Sequence, residues 1–265
     1  MIAMLDGGLE LAYDDAGSGI PLLFIHGWPH DRTLWSAQVS GLPTLARCLA
    51  PDLRGFGDST VSAPWSIDQF ADDLDAFLTR LDIPQAVVCG LSMGGYVALS
   101  LLRRHRSRVR ALILTSTRAT ADTDEGREKR MRLVDFVSEH GVEALAGRQL
   151  KAMVGETTFS SRPDVLEALR SMMARAPRDG VVGALHAMAG RRDSTDLLSG
   201  IGVPTLVVSG SEDTFTPPAE MRGLADRIPR CHFESIAGGG HVCPYERPAA
   251  FNHVVAEFLA TLECD

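Results

Sequence analysis

A serine lies inside a glycine-spaced turn, Gly90-Leu91-Ser92-Met93-Gly94, directly after the apolar run from Ala86 to Cys89. This pattern predicts a buried strand that turns tightly into a helix, and such a turn holds a serine hydroxyl in a strained, open position beside a base. The same turn would aim the Met93 N–H and the helix N-terminus at a developing oxyanion. The pattern therefore indicates nucleophilic catalysis at Ser92. The alternative is a strand-to-helix turn in which the serine is incidental.

An acid and a base that could activate this serine follow two later predicted strands. Asp213 lies in a loop after the apolar run Pro204 to Ser209, and His241 lies in a glycine-rich loop after the last predicted strand. Among the eight histidines, only His26 and His241 sit beside glycine at predicted strand ends. Asp213 is placed to orient a histidine, but Glu212 beside it is a rival. A loop carboxylate can also be a helix cap or simply face water.

A second oxyanion donor could come from the segment His26-Gly27-Trp28-Pro29, which ends the predicted strand Pro21 to Ile25. Glycine lets the backbone pass close to a neighbouring segment, and proline fixes the direction in which the chain leaves. The Trp28 N–H is therefore a candidate donor. The alternative is a strand-to-loop turn with a packed tryptophan.

Two charged residues, Asp52 and Arg54, lie in the glycine-punctuated loop 51–59, after a short predicted strand. Their position at a strand end makes them candidates for active-site charges. We expect instead that they pair with each other and hold the loop.

The elements that must position these residues alternate between strands and helices. Apolar runs predict strands at Gly8 to Asp14, Pro21 to Ile25, Arg47 to Ala50, Ala86 to Cys89, Val109 to Thr115, Pro204 to Ser209 and Cys231 to Ile236. Helical patterns lie between them, including one that opens at Ser66 with Gln69 three residues on, the spacing of a capping box. This alternation predicts an α/β fold with a mostly parallel sheet.

The rhythm changes between about Thr117 and Asp196, where helical patterns follow one another without a strand pattern. We predict helices at Asp124 to Glu139, Val142 to Val154, Pro163 to Ala176 and Asp179 to Ala189. The chain would then consist of a core domain, residues 1–116 and 197–265, with a helical cap, residues 117–196, inserted before the strand at Pro204.

The composition of the predicted cap bears on the substrate. It carries equal numbers of acidic and basic residues, and it holds five of the nine methionines: Met131, Met153, Met172, Met173 and Met188. Methionine adapts to irregular apolar shapes, so these side chains could line a lid over an apolar substrate or simply pack the helices. The arginines that could instead bind a carboxylate are Arg130, Arg132, Arg175 and Arg191, whose pattern predicts that they face solvent. We therefore expect small neutral substrates.

The overall composition excludes several classes of partner. A formal net charge of −8 argues against nucleic acid and against an anionic membrane surface, both of which attract basic proteins. The sequence has no apolar run of the roughly 20 residues that span a bilayer and no leader pattern at its N-terminus, so we expect a cytoplasmic protein. The five cysteines form no C-x-x-C pair, and we expect reduced thiols. The sequence does not indicate which oligomeric state the protein adopts.

The chain order of Ser92, Asp213 and His241 on an alternating β/α pattern resembles that of the α/β-hydrolase fold family. The likeness is strongest to its cofactor-free carboxylesterases and 3-oxoadipate enol-lactonases. It rests on five segments: 26–29, 52–59, 90–95, 210–213 and 240–241. The resemblance implies a mostly parallel eight-stranded sheet flanked by helices, with a helical cap between strands 6 and 7. Dehalogenases and epoxide hydrolases of the family carry aspartate at the turn, so Ser92 points away from those activities.

The resemblance and the residues together imply one mechanism. His241 would take the proton of Ser92, Asp213 would orient His241, and the Trp28 and Met93 N–H groups would bind the oxyanion. The sequence contains no metal-ligand cluster and no nucleotide-binding glycine motif, and we expect no cofactor and no metal.

Three readings of this arrangement stay open at the level of sequence. The first is a serine esterase acting on small neutral carboxylic esters through an acyl-enzyme. The second is a lactonase for carboxylate-bearing lactones or a cofactor-free perhydrolase, and the third is a non-catalytic ligand receptor on the same fold. We expect the first, with a small-molecule ester or lactone as the partner.

Overall fold

Eight strands form one sheet in the order β1-β2-β4-β3-β5-β6-β7-β8 in the computed structural model, which describes residues 1–262. The strands are β1 (Ile2–Met4), β2 (Glu10–Ala16), β3 (Ile20–Ile25), β4 (Ala46–Pro51), β5 (Ala86–Leu91), β6 (Val109–Thr115), β7 (Thr205–Gly210) and β8 (Cys231–Ile236). Strands β1 and β2 pair antiparallel with their neighbours, and all other pairs are parallel. The predicted mostly parallel sheet is confirmed.

Helices cover both faces of this sheet. Within residues 1–262 they are α1 (Ser36–Gly41), α2 (Ile67–Arg80), α3 (Met93–Arg104), α4 (Asp124–Met153), α5 (Glu156–Ser161), α6 (Pro163–Ala174), α7 (Arg178–Ala189), α8 (Pro218–Ala225), α9 (Cys243–Glu246) and α10 (Pro248–Leu262). All six residues of β5 are buried, as expected for a parallel strand covered on both faces.

Alternate residues of the central strands feed two separate hydrophobic cores. In β3, Leu23 and Ile25 join the core that contains Phe77, whereas Leu22 and Phe24 join the core that contains Trp35. This division follows from the two-residue period of a strand, which sends successive side chains to opposite faces. The sheet is therefore a rigid plate whose strand ends carry the loops of interest.

The helical segment between β6 and β7 contains α4 to α7 and differs in detail from the sequence prediction. The two predicted helices 124–139 and 142–154 form the single element α4, broken at Gly141, whose φ of 81° lies outside the helical range. Helix α5 was not predicted, since its six residues are too few to show a helical period. Before α1, the chain forms a 3₁₀ turn at Arg32–Trp35.

The expectation that Asp52 and Arg54 pair with each other is wrong. The Asp52 carboxylate binds the Arg32 guanidinium and accepts the Asp58 N–H at 2.9 Å. The Arg54 guanidinium instead donates two hydrogen bonds, of 2.6 and 2.7 Å, to Asp73 in α2. Each residue still fixes the loop, but its partner comes from a different neighbouring element, which sequence proximity could not reveal.

Two further sequence expectations concern the chain as a whole. Cys48, Cys89, Cys231 and Cys243 are free thiols, and Cys264 lies outside the described residues. None of the helices within residues 1–262 is long and apolar enough to cross a membrane.

The buried pair Arg54–Asp73 should stabilise the fold far more than an exposed pair does. We expect Asp73→Ala to lower the free energy of unfolding by about 3–5 kcal/mol, because it leaves the Arg54 guanidinium buried without its counter-ion. Asp196→Ala removes the partner of Arg103 at an exposed site and should cost less than about 1 kcal/mol. Urea denaturation of the two variants measures the difference, and equal losses would contradict it.

Candidate active site

Ser92 occupies a strained position between β5 and α3, with φ of 54° and ψ of −113°. The turn is possible because its glycines let backbone segments touch. A Cβ at Gly90 would overlap the Gly94 carbonyl, and a Cβ at Gly94 would overlap the Ile25 carbonyl at the end of β3. The predicted glycine spacing thus has a steric cause that involves a neighbouring strand as well as the turn itself.

The backbone of Ser92 is fixed from the side of β6. Its N–H donates to the Thr115 carbonyl at 2.9 Å, and its carbonyl accepts a hydrogen bond from the Thr117 hydroxyl at 2.7 Å. Its side chain is half-buried and lines a cavity that His241 also lines. The turn therefore presents the hydroxyl at a defined point of that cavity.

His241 and Asp213 lie together in the structure. The Nδ1 atom of His241 is 3.0 Å from Oδ2 of Asp213, and both side chains are buried. The Asp213 carboxylate also accepts the Phe215 and Thr216 N–H groups, at 2.8 and 3.0 Å, and the Thr216 hydroxyl at 2.6 Å. Burial alone would raise the pKa of Asp213, but the charge of His241 and the hydrogen bonds from His241 and Thr216 outweigh it and lower the pKa to about 2.

The rival acid and the rival histidine both have other partners. The Glu212 carboxylate accepts the N–H of Thr157, a residue of the helical segment, at 2.8 Å. His26 is fully buried: its Nδ1 lies 2.9 Å from the Gly27 carbonyl, and its Nε2 accepts the Leu53 N–H at 3.0 Å. Burial lowers the pKa of His26, so the ring is neutral and joins two loops. Both residues are thus bound to groups other than His241, which pairs with Asp213.

The candidate oxyanion donors Trp28 and Met93 belong to two segments that adjoin Ser92. Met93 is the first residue of α3, so its N–H has no acceptor within the helix. The residue before Trp28 closely approaches the serine, since a Cβ at Gly27 would lie 3.3 Å from the Ser92 Cβ. The Trp28 ring is packed and its Nε1–H donates to the Val181 carbonyl at 3.0 Å. The tryptophan ring is thus packed, as in the alternative interpretation. This packing uses the ring N–H and not the backbone N–H.

A cavity of about 570 Å³ joins the serine to the helical segment. Met153 and Met188 line it and also pack in the hydrophobic cores, whereas Met172 and Met173 pack in a core without lining the cavity. Apolar lining thus comes from only some of the cap methionines.

The expectation that the cap arginines all face solvent is wrong for two of them. Arg130 and Arg191 line the cavity, with side chains 19% and 4% exposed, and both bind the carboxylate of Asp122. The Arg191 guanidinium also lies over the Tyr96 ring, 4.2 Å from its centroid. Sequence reasoning missed this cluster because Asp122 precedes α4 and Arg191 follows α7, and only the packing of the helices brings them together.

The other two arginines lie elsewhere. Arg132 is exposed, and Arg175 forms an ion pair with Asp31 beside the turn that precedes α1.

Thr216 and Thr117 are site residues that the sequence analysis did not identify. A signal existed for Thr216, because an aspartate whose side chain accepts backbone N–H groups two and three residues on is a common local motif. No local signal existed for Thr117, which follows β6 and reaches Ser92 from the end of that neighbouring strand.

Among residues 1–262, no group of three or more His, Cys, Asp or Glu side chains could hold a metal ion.

Comparison with known proteins gives consistent likenesses. The model of the family described as alpha/beta hydrolase fold matches residues 20–248. A thermophilic esterase from Thermogutta terrifontis, solved with malate bound, is 39% identical with a TM-score of 0.95 and covers 99% of this chain and 98% of its own. An enol-lactonase from Burkholderia xenovorans LB400 is 29% identical with a TM-score of 0.90, covering 98% and 100%. A non-heme chloroperoxidase from Kitasatospora aureofaciens is 30% identical over 95% of this chain and 96% of its own.

The low pKa of Asp213 fixes the form of the pH dependence. The pKa of Asp213 in the folded protein is about 2, below the usual carboxyl value of about 3.9. The ionised carboxylate therefore stabilises the folded protein fully above about pH 4, and this contribution is lost as the pH falls toward 2. We therefore expect kcat/KM to fall on acidification from about pH 9 to about pH 4 as a single ionisation, because Asp213 stays ionised over this range. A pH profile with a slope of two, or with a second ionisation in the acid range, would contradict this assignment.

Proposed function

The chain belongs to the α/β-hydrolase fold family, and we propose that it is a serine hydrolase that cleaves small carboxylic esters through an acyl-enzyme. Its family and its esterase and enol-lactonase neighbours support hydrolase activity. The observation that carries the finer proposal is the His241–Asp213 hydrogen bond, buried at one wall of the cavity that the strained Ser92 also lines. A histidine that is oriented by a carboxylate and lines the same cavity as a serine is the arrangement that nucleophilic acyl transfer requires.

The proposed first step is attack of the Ser92 hydroxyl on the substrate carbonyl. Nδ1 of His241 is engaged by Asp213, so Nε2 is the ring nitrogen that remains to take the Ser92 proton. The Asp213 carboxylate holds this orientation of the ring and stabilises the imidazolium that forms. His241 then gives the proton to the leaving alcohol, and the acyl group remains on Ser92.

The proposed second step repeats the first with water as the nucleophile. His241 takes a proton from water, the hydroxide attacks the acyl carbon, and Ser92 leaves as the hydroxyl once His241 returns the proton. In both steps the negative oxygen of the tetrahedral intermediate would accept the Trp28 and Met93 N–H groups. Donors fixed in advance at the position of the developing charge lower the barrier most.

The lining of the cavity supports a short or medium acyl chain. Leu133, Met153 and Met188 offer apolar contacts on the side of the helical segment, which would serve as the cap. Each methylene buried there would contribute about 0.8 kcal/mol until the space is filled. Neutral acyl esters are therefore the substrates that we propose.

A second candidate, a carboxylate-bearing ester or lactone, is favoured by one specific observation. Asp122 is shared by Arg130 and Arg191, so this buried cluster carries one positive charge more than its single carboxylate balances. Among residues 1–262, the Arg130 Nη1 group has only the Met188 sulfur as its partner, at 3.3 Å, and a thioether is a weak acceptor. A substrate carboxylate would be a stronger acceptor for this N–H group than the sulfur. The similarity to an enol-lactonase and to an esterase with bound malate agrees with this candidate.

The proposed roles predict a hierarchy of losses. Ser92→Ala and His241→Ala should each reduce kcat by about a millionfold, since a nucleophile and its base act as a unit in other serine hydrolases. Asp213→Asn should cost about ten-thousandfold. An organophosphate should label Ser92, as read by mass spectrometry of the digested protein. Residual activity above about one per cent in Ser92→Ala would refute the assignment of Ser92 as the nucleophile. A larger loss in Glu212→Gln than in Asp213→Asn would assign the acid to Glu212 instead. Absence of the label would favour a ligand receptor over an enzyme.

The substrate class is tested with a matched series. We expect kcat/KM for p-nitrophenyl esters to rise over the first few acyl carbons and then to fall as longer chains meet the cap. A carboxylate-bearing lactone turned over about a hundredfold faster than p-nitrophenyl butyrate would establish the second candidate instead, since a well-placed ion pair is worth that much. In that case Arg130→Met should remove the preference, and Arg132→Met, at an exposed arginine of the same helix, should retain it.

A further inference from the structure

The junction between α4 and α5, residues 153–157, contacts both loops that carry the proposed acid and base. We call this segment the cap junction. The Thr157 N–H binds Glu212, the neighbour of Asp213, and the Met153 carbonyl accepts the Val242 N–H at 3.0 Å. The cap junction therefore lies against the residues next to both members of the proposed charge pair.

Glu246 forms the most buried of these links. One carboxylate oxygen accepts the Gly240 N–H at 2.7 Å and the other accepts the Gly155 N–H at 2.9 Å, in a side chain of a residue only 2% exposed. Burial raises the pKa of Glu246 even though these hydrogen bonds oppose the shift. The carboxylate thus joins the residue directly before His241 to the cap junction, with one oxygen on each.

The close approach of the two segments depends on glycine on both sides. A Cβ at Gly240 would overlap the Gly155 nitrogen, and a Cβ at Gly155 would lie 3.1 Å from the Gly240 nitrogen and 2.6 Å from a Glu212 carboxylate oxygen. Backbone therefore meets backbone where the helical segment touches the loop of His241. No side chain could be inserted there without moving one of the two.

The loop that carries His241 is rich in glycine. It contains Gly238, Gly239 and Gly240 in succession, and glycine has the largest conformational freedom of any residue. The N–H groups of Gly240 and Val242, on either side of His241, are bound by Glu246 and by the Met153 carbonyl. The backbone on both sides of His241 is thus held from outside the loop, by α9 and by the cap junction, while Asp213 binds the ring itself.

We propose that Glu246 is a positioning residue for His241, which makes the alignment of the base depend on the seating of the cap junction. The proposal rests on the role of His241 in the proposed function. It adds that the helical segment does more than enclose the substrate, because the same carboxylate holds the base and the cap together.

Glu246→Gln is the direct test. The amide keeps the size of the side chain, but its oxygen can accept only one of the two N–H groups and its NH₂ faces the other donor. We expect kcat for p-nitrophenyl butyrate to fall by about 10- to 100-fold, because small misplacement of a catalytic group has effects of that size, while KM changes by less than about threefold. The rate of organophosphate labelling at Ser92 should fall by the same factor as kcat.

A spectroscopic readout separates positioning from simple support of the fold. The proton shared by His241 and Asp213 should give a downfield ¹H NMR resonance, assigned by its loss in His241→Ala. We expect this resonance to shift or broaden in Glu246→Gln. Asp73→Asn is the matched control, since it changes another buried carboxylate that contacts neither loop. It should lower the unfolding temperature and leave both the resonance and kcat per labelled site unchanged.

The results distinguish failure of this proposal from failure of the proposed function. Wild-type kcat and an unshifted resonance in Glu246→Gln, with Ser92 still labelled, would overturn the positioning role alone. Loss of labelling at Ser92 in the wild-type protein would overturn the proposed function. If Glu246→Gln does not fold, Gly155→Ala perturbs the same contact from the cap side and should give the same fall in kcat with KM nearly unchanged.

Discussion

The backbone of Ser92 is held in a left-handed conformation that costs of the order of 1–3 kcal/mol for a residue with a side chain. The neighbouring elements must therefore over-determine it. Gly90 allows the turn to close on itself, and Gly94 allows its contact with β3. The Thr115 carbonyl at the end of β6 accepts the Ser92 N–H, and the Thr117 hydroxyl just after β6 donates to the Ser92 carbonyl. Because β5 is central and lies between β3 and β6, the strain is opposed by a rigid, fully buried part of the sheet.

The loops at the same edge of the sheet share one ordering device, a buried carboxylate that accepts backbone N–H groups. Asp52 does this for the loop after β4, Asp213 for the loop after β7, and Glu246 for the loop after β8. Loops rich in glycine lose much entropy on ordering, and a charged acceptor forms stronger hydrogen bonds than a neutral one. The carboxylates thus make a precise site out of segments that have no regular structure.

The helical segment is joined to the core by contacts with three separate parts of the chain. Trp28 binds the Val181 carbonyl of α7, Arg175 binds Asp31, and Glu246 binds Gly155. Arg130 and Arg191 line the cavity, although both belong to a segment with no net charge. The charge that a substrate meets therefore depends on which carboxylates are shared within the segment and not on its overall composition.

The sequence by itself determined the fold class, the strand pattern from β3 to β8 and the residue types at the strand ends. Buried strands and glycine turns can be recognised from local apolar runs and local glycine spacing. It also named Ser92, Asp213 and His241, which remain proposed catalytic residues. Only the tertiary structure separated Asp213 from Glu212, gave Asp52 and Arg54 different partners and brought Arg191 to Asp122. In each case the deciding contact joins segments far apart in the chain, and local patterns carry no information about which buried donor meets which acceptor.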